Sequence, residues 1–358
     1  MTTFVPQWVY ADSPDENGSP RKAWVPSDFG MDGRFATLGI LSRGGQGYAL
    51  LAKDRWSGGD VVVKGMWWPE SALGDPRNVL ATLSQHQKAR RQGLHAVRQA
   101  AQLTQQCPVV ISVESQPSPS LTEAGHPRPQ IESFLVQQFI GQQGGAASIT
   151  LQQDIDARRA ENRPYTEDEL LDLAEQLCNT LAALHADRHE DDKSSKGWIH
   201  ADIKPENILV LGPPARYVLI DYDAAVRIGG RVDTTTAAYA PPPAEGTDEP
   251  SEKSPAAERF DIYMLGATLA HAVALQRLSE EHRRLLYAEQ APYETVAPAR
   301  RFLAGQGYGP VLTSALITCL SARTYRLSTV DRVRIDVARA RRVTALQAAL
   351  STLGGRPR

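Results

Sequence analysis

Cysteine is scarce in this chain of 358 residues: Cys107, Cys178 and Cys319 are scattered and stand at no metal-binding spacing. An odd, dispersed set of thiols excludes a disulfide framework and points to a reducing compartment. Also missing is any apolar run of about 20 residues, or a basic-then-apolar leader, which argues against a membrane span and a secretory signal. The chain therefore reads as cytoplasmic, with no membrane partner. An excess of one charge is absent too. The 39 Lys and Arg against 41 Asp and Glu leave a net charge of -2, and this makes no electrostatic case for nucleic acid. The arginines Arg332, Arg334, Arg339, Arg341 and Arg342 read as the solvated face of a last helix. One absence is local: no acidic residue lies between Asp75 and Glu114. Yet residues 78–106 have a helix-forming composition, with Leu80, Leu83, Leu94, Val97, Ala101 and Leu103 near helical spacing.

Against these absences stands one dense run, Ile199-His200-Ala201-Asp202-Ile203-Lys204-Pro205-Glu206-Asn207-Ile208-Leu209-Val210. It sets an acid, a cation and an amide in a polar turn between apolar flanks. Phosphoryl transfer needs a group to orient a hydroxyl, a cation for phosphate oxygens and a metal ligand. Downstream, the strand-like run Tyr217-Val218-Leu219-Ile220 ends at Asp221-Tyr222-Asp223, and a carboxylate there suits a second metal ligand. Upstream, Ser42-Arg43-Gly44-Gly45-Gln46-Gly47 lies between two strand-like runs, where glycines let backbone amides approach phosphates. After a turn at Ser57-Gly58-Gly59-Asp60 comes Val61-Val62-Val63-Lys64. Thr166 and Glu169 form a capping signature, and Leu170, Leu173, Leu177, Leu181 and Leu184 mark one core-facing stripe.

In their order these motifs resemble the eukaryotic-type serine/threonine protein kinases, with Ala201 in place of the Arg of His-Arg-Asp. The resemblance implies an α+β, bilobal kinase-like fold. An N-terminal arm would occupy 1–33 and the kinase domain 34–350, comprising a small antiparallel lobe (34–137), a hinge (138–141) and a mostly helical large lobe (142–350), with a tail at 351–358. It implies ATP and Mg2+ or Mn2+ as cofactors, and protein substrates the sequence does not name. Asp202 would handle the acceptor hydroxyl, Lys204 steady the migrating phosphoryl group, and Lys64 reach the α and β phosphates. Asn207 and Asp221 would ligate the metal. Ser42, Gly44 and Gly47 would cover the phosphates, and backbone at Gln138, Phe139 and Ile140 would bind adenine. ATP would lie in a cleft between Gly44, Lys64, Gln138 and Asp221.

Thr234, Thr235 and Thr236, followed by Tyr239, look like the end of an activation segment, and Asp261 like the buried helix-start acid that anchors the catalytic loop. Departures are specific. Ser42 replaces a Gly, Asp223 replaces the Gly after the metal Asp, and Pro243 replaces a Glu that would pair with the Arg matched by Arg326, whose partner is then missing or is Glu245. Where the family places the Glu that pairs with Lys64, this chain has Arg98 or Gln99; Gln85, Gln92, Glu70 and Glu114 are the other candidate partners. Without an Arg at Ala201, gating through phosphorylation of Thr234 to Thr236 is expected to be weak. Ala201 and Asp223 also suit a small-molecule phosphotransferase of the same fold, and the lost residues suit a catalytically weak scaffold. Polar stretches at 115–130, 187–196 and 246–257 read as surface loops.

Overall fold

The computed structural model describes residues 7–10, 22–25, 28–43, 47–66, 76–117, 131–141, 148–190, 193–242, 255–288, 293–321 and 329–354. Gly44, Glu70, Pro243, Glu245 and Arg326 lie outside them, as do most of 115–130 and 246–257 and parts of the arm; 187–196, read as a surface loop, is described except at 191 and 192 and carries two short paired strands instead. The chain divides into two compact units, Met1–Arg91 with Pro108–Ile140 and Gln92–Cys107 with Gly141–Arg358.

In the first unit, a hairpin pairs β1 (Gln7–Tyr10) with β2 (Lys22–Val25), bringing Trp8 opposite Trp24 in register. A six-stranded antiparallel sheet follows, built from β3 (Asp28–Phe29), β4 (Phe35–Arg43), β5 (Gly47–Asp54), β6 (Asp60–Met66), β7 (Val110–Pro117) and β8 (Ile131–Gln138). Its order is β3-β4-β5-β6-β8-β7. Alternation sets the inner face: Tyr48, Leu50 and Ala52 of β5 are buried together with Val61, Val63, Phe134 and Val136. Phe29 meets Phe134 edge to face, with centroids 4.8 Å apart, so the edge strand β3 packs through Phe29 on the same inner face, against β8. Gly30 closes that curl, because a Cβ there, at φ +77, would lie 3.2 Å from the side chain of Glu114 on the opposite edge strand. Arg34 grips the buried Asp54 through two nitrogens at 2.9 and 2.8 Å. Those bonds hold the Asp54 carboxyl well below the usual carboxylate range.

Helix α1 (Pro76–Leu103) gives its residues up to Arg91 to the first unit and those from Gln92 to the second. Its buried face differs from the expected leucine stripe. Leu83 and Val97 are buried, but Leu80 is 55% and Leu103 65% exposed. The inward positions are instead Leu83, Arg90, Gly93, Ala96, Val97, Gln99 and Ala100. Two of these are polar and bonded, and one has no side chain, which is why counting apolar residues missed the face.

The second unit carries β9 (Ile149–Thr150), α2 (Leu151–Ala160) and α3 (Glu167–His185). Thr166 and Glu169 form the expected capping box at the start of α3, and the stripe from Leu170 to Leu184 is buried. Short strands β10 (Arg188–Glu190), β11 (Lys193–Ser195) and β12 (Trp198–Ile199) follow. After them come β13 (Ile208–Leu211), β14 (Arg216–Leu219) and β15 (Val226–Arg227). β13 pairs with both β14 and β9, and β12 with β15. Helices α4 (Glu258–Ala274), α5 (Glu280–Tyr287), α6 (Tyr293–Ala304), α7 (Pro310–Leu320) and α8 (Val330–Gly354) complete it. Every residue of α4 from Phe260 to Val273 is buried, so this helix forms the unit's interior. All three cysteines are free and buried. Among the described residues no helix is long and apolar enough to cross a membrane.

Candidate active site

The loop between β12 and β13 is held from below by Asp261, near the start of α4. This fully buried carboxylate accepts the amides of His200 at 2.7 Å and Ala201 at 2.9 Å, and bonds His185 Nε2 at 2.9 Å. Ala201 has φ 62 and no exposure. A left-handed alanine costs on the order of 1 kcal/mol, and its bond to Asp261 offsets that. His200 accepts the amide of Asp202 at Nδ1 (3.3 Å), so its Nε2–H is the donor to the Ile220 carbonyl at 3.0 Å. Burial pushes the His200 pKa down, in keeping with this neutral ring.

That turn presents Asp202 to four groups. Oδ1 accepts the Thr236 hydroxyl at 2.6 Å and the Thr236 amide at 3.0 Å. Oδ2 accepts Asn207 Nδ2 at 3.0 Å and pairs with Lys204 Nζ at 2.9 Å. Lys204 also donates to Thr236 Oγ1 at 2.7 Å. A threonine hydroxyl thus sits between a carboxylate and an ammonium. Thr235 lies against the Met264 sulfur instead, and Thr234 is half-buried.

Asn207, in the turn Pro205–Asn207, is buried, and its amide nitrogen also donates to the Asp202 carbonyl at 2.8 Å. Both bonds engage the nitrogen, which leaves the oxygen to other partners. The Ile220 amide donates to the Asn207 carbonyl at 2.9 Å, so Asp221 begins next to the loop, in left-handed conformation with φ 64. One amide oxygen and one carboxylate are hard-oxygen donors that fit Mg2+ sharing its sphere with phosphate oxygens and water. Among the described residues no group of three His, Cys, Asp or Glu could form a metal cage of its own. Tyr222 is buried edge-on against His200, with centroids 4.7 Å apart, and burial pushes its phenol well up.

The second part of α1 braces this turn. A Cβ on Gly93 would stand 2.5 Å from the Tyr222 carbonyl oxygen. Gln99 Nε2 caps the end of α3, donating to the carbonyls of Leu184 at 3.0 Å and Ala186 at 2.8 Å. The Leu219 amide donates to the Gln106 carbonyl at 3.1 Å. Gln99, a candidate partner for Lys64 by sequence, spends its donors on α3.

In the first unit, Ser42, Ala49, Lys64 and Leu135 stand in register across four strands. Gly47 pairs with Met66; the side chain of Ser42 and all of Gly44 are outside the described residues. Arg90 of α1 donates to the Lys64 carbonyl at 2.5 Å. Glu114 lies against Gly30 and in the field of Arg34. The amides of Gln138 and Phe139 are spent on the carbonyls of Val109 (2.8 Å) and Asp60 (3.3 Å), so neither amide is left for adenine. Ile140 is half-buried beside them.

No family model matches the chain. The serine/threonine-protein kinase YabT of Bacillus subtilis (strain 168) is 36% identical over 64 residues, 18% of this chain and 16% of that protein. The serine/threonine-protein kinase PknD of Chlamydia muridarum is 23% identical over 304 residues, covering 74% of this chain and 28% of that protein. The chain is distantly similar to bacterial serine/threonine kinases. It spans only 28% of PknD and 16% of YabT, so whole-protein activities of those relatives do not carry over.

Reading the sequence missed Gly93, Arg90 and the role of Gln99. A signal for the first was present: an isolated Gly inside a helical pattern costs about 1 kcal/mol against Ala and usually has a packing or functional reason.

Proposed function

We infer that this chain is a protein kinase of bilobal fold that transfers the γ-phosphoryl group of ATP to Ser or Thr hydroxyls, on protein substrates and on itself. The observation that carries this reading is the Asp202 carboxylate, which holds a threonine hydroxyl at 2.6 Å while Lys204 lies 2.7 Å from the same oxygen. An acceptor serine or threonine needs that pair of neighbours. The carboxylate orients the hydroxyl and takes its proton as the new O–P bond forms and the bond to ADP breaks, and the ammonium offsets charge on the phosphoryl oxygens. Asn207 and Asp221 would hold Mg2+ or Mn2+, which when bound neutralises phosphate oxygens. Lys64, with its strand fixed through Arg90, would bind the α and β phosphates. Asp261 acts by positioning, holding the loop amides so that Asp202 faces outward.

The test is incubation with γ-labelled ATP, Mg2+ and unfractionated histone, beside Asp202→Ala. Label on protein serine or threonine that falls by about 10²-fold or more in the variant is expected. ATP turnover without protein label would assign a small-molecule acceptor, and nucleotide binding without any turnover would make the chain a scaffold.

A further inference from the structure

The segment that delivers Thr236 to Asp202 lacks an acid where the resemblance expects one, since Pro243 occupies that place. The structure holds the segment in another way. The amides of Tyr239 and Ala240 both turn back onto the Thr236 carbonyl, at 2.9 and 3.1 Å. The outer carbonyls of this turn, those of Ala237 and Ala240, accept one nitrogen of Arg283 at 3.0 and 3.4 Å. Arg283 lies on α5, whose first turn is capped by Ser279 Oγ accepting the His282 amide at 3.1 Å. Its neighbour Arg284 is engaged within the helix by Glu280 at 2.6 Å, so the two arginines do different work. From the other side, the Tyr239 hydroxyl bonds His271 Nδ1 at 2.9 Å. An unbroken series of bonds therefore runs from α5 through the turn to Thr236, and from Thr236 to the carboxylate of Asp202.

We propose that Arg283 is a positioning residue for the acceptor side of the reaction: its guanidinium clamps the Ala237–Ala240 turn by main-chain carbonyls and so keeps Thr236 on Asp202. A guanidinium is permanently charged and offers several donors in a fixed plane, so it can bridge two carbonyls that one acid–base pair would not reach. The clamp belongs to the peptide-binding side and not to nucleotide binding. It rests on the kinase reading above.

The test compares wild type, Arg283→Ala and Arg283→Lys in the full chain. Histone labelling is followed at varied histone and varied ATP, and amide exchange is read at Tyr239 and Ala240. Arg283→Ala is expected to lower kcat/KM for histone about tenfold or more while KM for ATP stays within about twofold. Lysine, which keeps the charge and one bond, should recover most of the loss. Both amides should exchange about tenfold faster in the alanine variant. Unchanged labelling with unchanged exchange would overturn the clamp. So would equal losses toward ATP and histone with a lower melting temperature, since that marks a merely structural role. If wild-type protein transfers no phosphate, the kinase reading fails, and the exchange rates alone decide whether Arg283 holds the turn.

Discussion

Thr236 meets Asp202 through both its amide and its hydroxyl, which separates it from the two threonines before it. A phosphate on Thr236 would bring negative charge onto a carboxylate, and Ala201 supplies no arginine to answer it. Removing the three hydroxyls one at a time should therefore give different outcomes. Thr234→Ala and Thr235→Ala are expected to keep histone labelling within about threefold. Thr236→Ala should lose about 10- to 100-fold, because a hydrogen bond to a charged group is worth about 1.5–3 kcal/mol. Thr236→Ser should restore most of it. A large loss at Thr234 or Thr235 would mean that phosphorylation of this segment gates the enzyme after all. Within this site, Asp202, Lys204 and Asn207 were legible because they lie within six positions of one another in a short turn, where spacing nearly dictates geometry. Thr236 was legible only as part of a segment, since its approach to Asp202 depends on a fold-back that no local pattern encodes.

At the scale of elements, α1 shows how a helix can be misread. Its composition announced a helix, but the expected leucine stripe is partly exposed, and the packed face contains Gly93, Arg90 and Gln99. Such a face forms when the helix seats on backbone: Gly93 on the Tyr222 carbonyl and Gln99 on the carbonyls ending α3. The sign of one substitution tests this. At an exposed helical site, Gly→Ala stabilises by up to about 1 kcal/mol. Here Gly93→Ala should destabilise by about 1–3 kcal/mol, because the added methyl meets a main-chain carbonyl that cannot yield without moving the Asp221 turn. Urea unfolding measures it, and a gain in stability would show that the helix does not press on that turn. The strands fared better, since alternation and turn residues are local signals, as at Asp54 to Gly59 between β5 and β6.

For the whole molecule, buried histidines tie stability to pH. Burial drives the His271 pKa down to about 4, with Arg159 and Arg277 adding to the effect and Asp156 opposing it. His200 is lowered as well. A group whose folded pKa is depressed takes its proton more readily when unfolded, so its contribution is full above the unfolded value near 6.5 and is lost as pH falls toward the folded value. Urea midpoints should thus decline between pH 6.5 and 4, with His271 accounting for on the order of 2–3 kcal/mol. His271→Asn should flatten that decline; an unaltered slope would show that the ring is not held neutral. Below pH 4, a second loss follows as Asp54, held well below the usual range by Arg34, takes its proton.

By itself, the sequence determined most of the elements and the groupings carried within short spans: the acid, cation and amide of the loop, the strand that leads to Asp221, the cap at Thr166 and, among the described residues, the absence of a long apolar helix. Those depend on residue type and spacing along the chain, where neighbours in sequence are neighbours in space. Only the tertiary structure decided what lies under and beside the loop: Asp261 and His185 below it, Gly93 and Gln99 bracing the Asp221 turn, and Arg283 on the turn after Thr236. Each of these contacts ends on a main-chain carbonyl or amide or on a residue distant in sequence. Backbone groups are the same at every position, so no pattern of side chains marks in advance which of them will be met.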